Sequence, residues 1–152
     1  MAESFKSCVM RWKFNLSPVY RRTGARITYI AGDLREVRVN LPLNWKTKNY
    51  VGTIFGGSMY AAVDPLYMVM LINILGPGYI VWDKAAAIKF KQPGRSTLRA
   101  KIKIPKSETD YIRKALKEQN KLDRTYQIEL VDEEGNICAV VEKIIHFKKK
   151  YP

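Results

Sequence analysis

The sequence predicts an α+β protein in which one antiparallel sheet wraps around a long central apolar helix. Three observations carry this. Residues 59–75 are almost wholly apolar, and a helix that is apolar on nearly all sides needs cover all round. The flanking segments alternate with period 2, as half-buried strands do. Turn sequences rather than linkers divide them: Ala31-Gly32-Asp33, Gly76-Pro77-Gly78, Pro93-Gly94 and the acidic run Asp132–Asn136.

In chain order, residues 4–15 predict a short amphipathic helix ending before Pro18. Ala25–Ile30 and Glu36–Leu41 predict a hairpin. In its second strand Val37, Val39 and Leu41 share one face and Glu36, Arg38 and Asn40 the other. The apolar helix follows from about Gly57 to Leu75 and stops at Gly76-Pro77-Gly78. Tyr79–Lys91 and Thr97–Ile104 are strands, the second placing Leu98, Ala100, Ile102 and Ile104 opposite Arg99, Lys101 and Lys103. A second helix, Ser107–Asn120, opens on Ser107 as a cap, with Glu108 and Asp110 in its first turn and Lys114, Lys117 and Lys121 towards its end. Strands Tyr126–Val131 and Ile137–Lys148 complete the fold. Residues 1–22 read as a helical extension and 23–152 as the domain proper.

Composition narrows the function. A chain of 152 residues, 47% hydrophobic, suits one domain with a sizeable core. The formal charge of +13 favours anionic partners. Lys84–Lys103 holds seven basic residues and no acid. Nucleic acid is supported by charge alone, since no nucleic-acid motif or aromatic interleaving accompanies it. Cys8 and Cys138 match no metal spacing or disulfide framework, so a reducing cytoplasm is expected. His146 is the only histidine. That argues against a metal site or a Ser-His-Asp arrangement and suggests a strand-end residue; no metal or redox cofactor is expected. The start, "MAESFKSCVMRWKF", lacks a secretory pattern. The run 59–75 is short for a membrane span and carries Asp64-Pro65, so a buried helix is expected. Met59, Tyr67, Met68 and Met70 read as packing, and Trp45 and Trp82 as core residues.

Asp64 is the residue out of place. A carboxylate among Ala61, Ala62, Val63, Leu66 and Met68 is desolvated, at a cost of several kcal/mol unless it is paired or hydrogen-bonded. Upstream, Gly56-Gly57 opens the helix. Glycine lets a ligand approach the backbone, and the first helical N–H groups lack intrahelical partners, so they can stabilise a developing oxyanion. A second reading is structural: one helix ends near Val63, another starts at Leu66, and Asp64 caps it ahead of Pro65.

The pattern Asn49-x-x-Gly52-Thr53-x-Phe55-Gly56-Gly57-x6-Asp64 resembles the active-site segment of hotdog-fold acyl-CoA thioesterases, in the branch that includes phenylacetyl-CoA thioesterase. "GTIFGGSMYAAVDP" with "IVWDKAAAIKFKQPGR" is similar to an uncharacterised bacterial thioesterase-like subfamily. The resemblance covers roughly residues 20–148 and makes residues 23–152 a hotdog domain that works as a dimer or tetramer. It implies that Gly56 polarises the thioester carbonyl, that Asp64 is nucleophile or general base, and that Asn49 holds water or orients the carboxylate. It also implies a site between subunits, completed by Asp83 from the partner's strand.

Two positions depart from the family. Its histidine is Phe55 here, and its small hydroxyl residue is Asp83, followed by Lys84. Asp83 and Lys84 are therefore expected to tune Asp64 across the interface. Tyr60 with its apolar neighbours is expected along an acyl slot beside the helix, and Lys91, Arg95 and Arg99 at the phosphates of coenzyme A. The expected function is hydrolysis of an acyl-CoA or acyl-carrier thioester. The alternative is a hotdog protein that binds acyl-CoA without turning it over.

Overall fold

A computed structural model describes residues 1–150. Two helices open the chain, α1 (Phe5–Leu16) and α2 (Pro18–Arg21), followed by the hairpin strands β1 (Arg26–Ile30) and β2 (Glu36–Leu41). The apolar segment forms α3 (Gly56–Val63) and α4 (Leu66–Leu75). Then come β3 (Tyr79–Phe90), β4 (Leu98–Lys103), α5 (Lys106–Glu118), β5 (Lys121–Val131) and β6 (Ile137–Lys149). The strands form one antiparallel sheet in the order β1-β2-β4-β5-β6-β3. With the central helix against it, this is the predicted α+β architecture.

Strand alternation builds the core. Val37, Val39 and Leu41 of β2 pair in register with Ile102, Ala100 and Leu98 of β4, and all six are buried. Val141, Ile145 and Phe147 of β6 continue that face, against Ala62, Val63, Leu66 and Leu71 of the helix. Each Val, Leu, Ile or Phe among them, withdrawn from water, contributes about 1.5–3 kcal/mol. The segment 56–75 is long and apolar enough to cross a bilayer by length and composition, but here it is the core helix. Gly76, at φ 90°, ends it as its punctuation predicts.

Several elements differ from expectation. α5 starts at Lys106 after Pro105, with no side-chain cap, so Ser107 lies inside its first turn. Glu108 instead accepts hydrogen bonds from Arg124 at 2.8 and 2.9 Å and from the Tyr126 hydroxyl at 2.8 Å, tying α5 to β5. β5 begins at Lys121, five residues early, because all of it pairs with β6. Trp45 is 83% exposed and Trp82 43%. An apolar ring can equally serve an interface, which hydrophobicity alone does not distinguish from a core. The N-terminal helices pack onto the domain. Asn15 bonds both backbone groups of Ile27, and the buried Tyr20 hydroxyl donates to the Ala62 carbonyl at 2.8 Å.

Candidate active site

The helix breaks where the structural reading expects, with α3 ending at Val63 and α4 starting at Leu66, but the Asp64 side chain caps neither end. Asp64 has helical angles (φ −49°, ψ −54°) despite preceding proline, and Pro65 is helical too (φ −80°, ψ −9°). The residue before proline usually avoids this region; here its carboxylate has partners that hold it there. One turn back on α3, the Tyr60 hydroxyl donates to Asp64 Oδ1 at 2.6 Å, as i and i+4 neighbours can. From β6, Lys143 Nζ donates to the same Oδ1 at 2.7 Å and to the Asp64 carbonyl at 2.5 Å.

Lys143 is the candidate-site residue that the sequence reading missed. Its side chain is fully buried. It also holds Asp83 Oδ2 at 2.9 Å, so one ammonium joins the two carboxylates within a single chain. A signal was present. In β6 the phase Val141, Lys143, Ile145, Phe147 points inward, and Lys143 is the one charge in it. A buried ammonium without partners costs several kcal/mol, so carboxylates opposite it were to be expected.

A β-bulge arranges the other carboxylate. The register of β3 against β6 shifts between Asp83 and Ala85, and such insertions re-aim side chains. Asp83 turns inward to Lys143, while Lys84 turns outward to Asp123 at 2.5 Å. Within this chain Lys143, and not Lys84, is the cation between the two carboxylates. Asp123 also meets Nδ1 of His146, whose ring packs on Trp82 with centroids 4.4 Å apart. Asp83 Oδ1 is buried and accepts no hydrogen bond among the described residues.

These contacts set the electrostatics. Burial pushes the Asp64 carboxyl upward, but the hydrogen bonds from Lys143 and Tyr60 and the ammonium charge outweigh it, leaving Asp64 below the usual carboxylate range. Burial, followed by the hydrogen bond and charge of Asp64, pushes the Tyr60 phenol up. Tyr60 is therefore a neutral donor. Both donors reach Oδ1, so Oδ2 carries no protein hydrogen bond among the described residues, on a carboxylate 42% exposed. That oxygen is available for chemistry.

Gly56 begins α3, and its amide, like that of Gly57, has no acceptor among the described residues. A Cβ on Gly56 would lie 2.7 Å from the Phe90 ring. Asn49 is tied into its own loop: Oδ1 accepts from the Val51 and Thr53 amides and Nδ2 donates to the Thr53 hydroxyl. Asn49, Gly56, Phe90 and Lys91 line one hollow of about 450 Å³. Asp64 and Tyr60 line another, about 540 Å³, between the N-terminal helices and α3. Phe55 is exposed before the helix. Arg95 is exposed, and Arg99 lies 3.9 Å from Glu133 on the outer side of β4.

A six-stranded antiparallel sheet around a central helix that begins on Gly-Gly and carries an inward carboxylate is a hotdog-fold protein. The chain belongs to the family described as a domain of unknown function, DUF4442, which matches residues 6–146. A Pseudomonas aeruginosa protein of unknown function, called a probable thioesterase, superposes with TM-score 0.82 over 98% of each chain at 16% identity. A Chlorobaculum tepidum protein of unknown function gives 0.75 over 95% of each chain, also at 16% identity. A Haemophilus influenzae thioesterase gives 0.69, again at 16% identity, over 99% of this chain and 95% of that one. No curated protein matches the chain. At these identities the likeness establishes the fold.

Proposed function

We propose that this protein hydrolyses acyl-CoA thioesters, with Asp64 as the nucleophile. The observation that carries the reading is the Asp64 carboxylate: Oδ1 is held by Lys143 and Tyr60, Oδ2 has no hydrogen bond among the described residues, and the residue lines a cleft. A carboxylate held below its usual range is a weak base but stays ionised at neutral pH. Oδ2 attacks the thioester carbon and the carbon–sulfur bond breaks. The thiolate leaves and takes a proton from solvent. Water then hydrolyses the mixed anhydride, releasing the acid and restoring Asp64.

The oxyanion needs donors, and Gly56 has a free amide. Eight residues of helix separate it from Asp64, about 12 Å at 1.5 Å per residue. One thioester carbon cannot touch both in the same chain, so this reading needs Gly56 from a second copy. β3 supports such pairing: it is a sheet edge, paired with β6 on one side and open along the other, with Ala85, Ala86 and Ala87 exposed. Lys91, beside Gly56, suits a phosphate of coenzyme A. Phe55, in the position of the family histidine, favours the second reading, binding without turnover.

The test is loss of thioester absorbance over a panel of short, long and aromatic acyl-CoAs, for wild type and Asp64→Asn. Turnover that falls by at least about a hundredfold in the variant supports the reading. Equal turnover in both removes Asp64 from the chemistry. Tight binding without turnover in wild type selects the second reading.

A further inference from the structure

From the cleft that Asp64 shares with the N-terminal helices we infer that α1 and α2 form the acyl-binding wall, and that the substrate carries an apolar acyl group larger than acetyl. This rests on the proposed thioester chemistry. The cleft, about 540 Å³, is of the size that takes small ligands. Phe14, Val19 and Tyr20 line it from the N-terminal side, and Tyr60, Ala61 and Pro65 from the central helix. Among the described residues, Asp64 and Lys13 are the only charged ones lining it.

That lining decides which half of an acyl-CoA enters. The nucleotide half is polyanionic; a largely apolar slot whose single ammonium, Lys13, is offset by the Asp64 carboxylate offers its phosphates no net positive potential. The acyl half needs only apolar walls and a carboxylate near its carbonyl end. The wall is built in advance. The buried Tyr20 hydroxyl pins α2 to the Ala62 carbonyl at 2.8 Å, and Phe14 meets Tyr20 edge to face with ring centroids 5.7 Å apart. An acetyl group would leave most of this volume unused, so the apolar contacts reward a longer or aromatic acyl group. The N-terminal helices are then a specificity element, setting which acyl group reaches Asp64.

Two variants test this without touching the reactive groups. Ala61→Phe fills the cleft beside Asp64. Val19→Trp narrows it from a position 80% exposed, where a larger side chain leaves folding intact. The readouts are kcat/KM for octanoyl-CoA and acetyl-CoA, and binding of S-octyl-CoA, a thioether that cannot be hydrolysed. The expected result is that the octanoyl-to-acetyl ratio falls at least about tenfold in both variants, the scale on which pocket contacts discriminate. S-octyl-CoA affinity falls with it, and coenzyme A affinity is unchanged. An unchanged ratio in Val19→Trp, with wild-type turnover intact, overturns the inference and leaves the proposed chemistry standing. If wild type hydrolyses nothing but binds S-octyl-CoA, and both variants lose that binding, the chemistry fails and the cleft assignment stands. If Val19→Trp instead weakens self-association in sedimentation, with the ratio unchanged, the cleft holds a second copy and the inference is overturned.

Discussion

Replacing Lys143 by Met keeps most of the side-chain volume and removes the charge that joins Asp64 to Asp83. The ammonium is fully buried and holds three oxygens at 2.5–2.9 Å. Deleting one member of a buried ion pair costs about 3–5 kcal/mol. Asp64 is 42% exposed, so water replaces part of what it loses, which puts the expected destabilisation at about 3 kcal/mol near neutral pH. The sign of the pH dependence follows from the carboxylates. In wild type the folded Asp64 lies below its unfolded value, so its contribution is present above the unfolded pKa and lost as pH falls through the folded one. Without Lys143 the two carboxylates face each other, and protonation relieves them. The gap between wild type and variant is therefore widest near pH 7 and narrows towards pH 4. Urea denaturation at both values, with circular dichroism as probe, measures it. A variant within about 1 kcal/mol of wild type at neutral pH, with a parallel pH dependence, refutes the ion-pair argument. Adding Asp83→Asn to the variant recovers part of the loss, because it removes one of the opposed charges.

Two further predictions address the same site and its scaffold. Tyr60→Phe removes one donor to Asp64 Oδ1, so the Asp64 pKa rises and the acid limb of the kcat/KM profile moves to higher pH; an unmoved limb means that Tyr60 does not hold the carboxylate. Tyr20→Phe removes the buried hydrogen bond to Ala62 and lowers stability by about 1 kcal/mol, read as a lower urea midpoint at unchanged slope.

How much was legible beforehand divides along the range of the interactions involved. Helix and strand positions follow from local period, so β2, β4 and β6 were readable, as was the stop at Gly76. β5 extended beyond its readable part because its pairing with β6, not its own polar start at Asp123 and Arg124, makes it a strand. The Asp64-Pro65 pair was locally ambiguous, since caps and reactive carboxylates use the same residue type; only the fold shows its carboxylate bonded to Tyr60 and Lys143 and to no helix-end amide.

By itself, then, the sequence determined an antiparallel sheet around an apolar helix, a glycine pair at that helix's start, and one carboxylate that apolar surroundings oblige to find partners. Tertiary structure alone decided who those partners are. Lys143 lies 79 positions from Asp64 along the chain, and no local period relates them. The bulge that turns Asp83 in and Lys84 out exists only once β3 is paired with β6. The cleft beside Asp64 likewise exists only once Tyr20 has pinned the N-terminal helices to Ala62. Periodicity is a property of neighbours along the chain, whereas charge compensation and cavities belong to segments that meet only on folding.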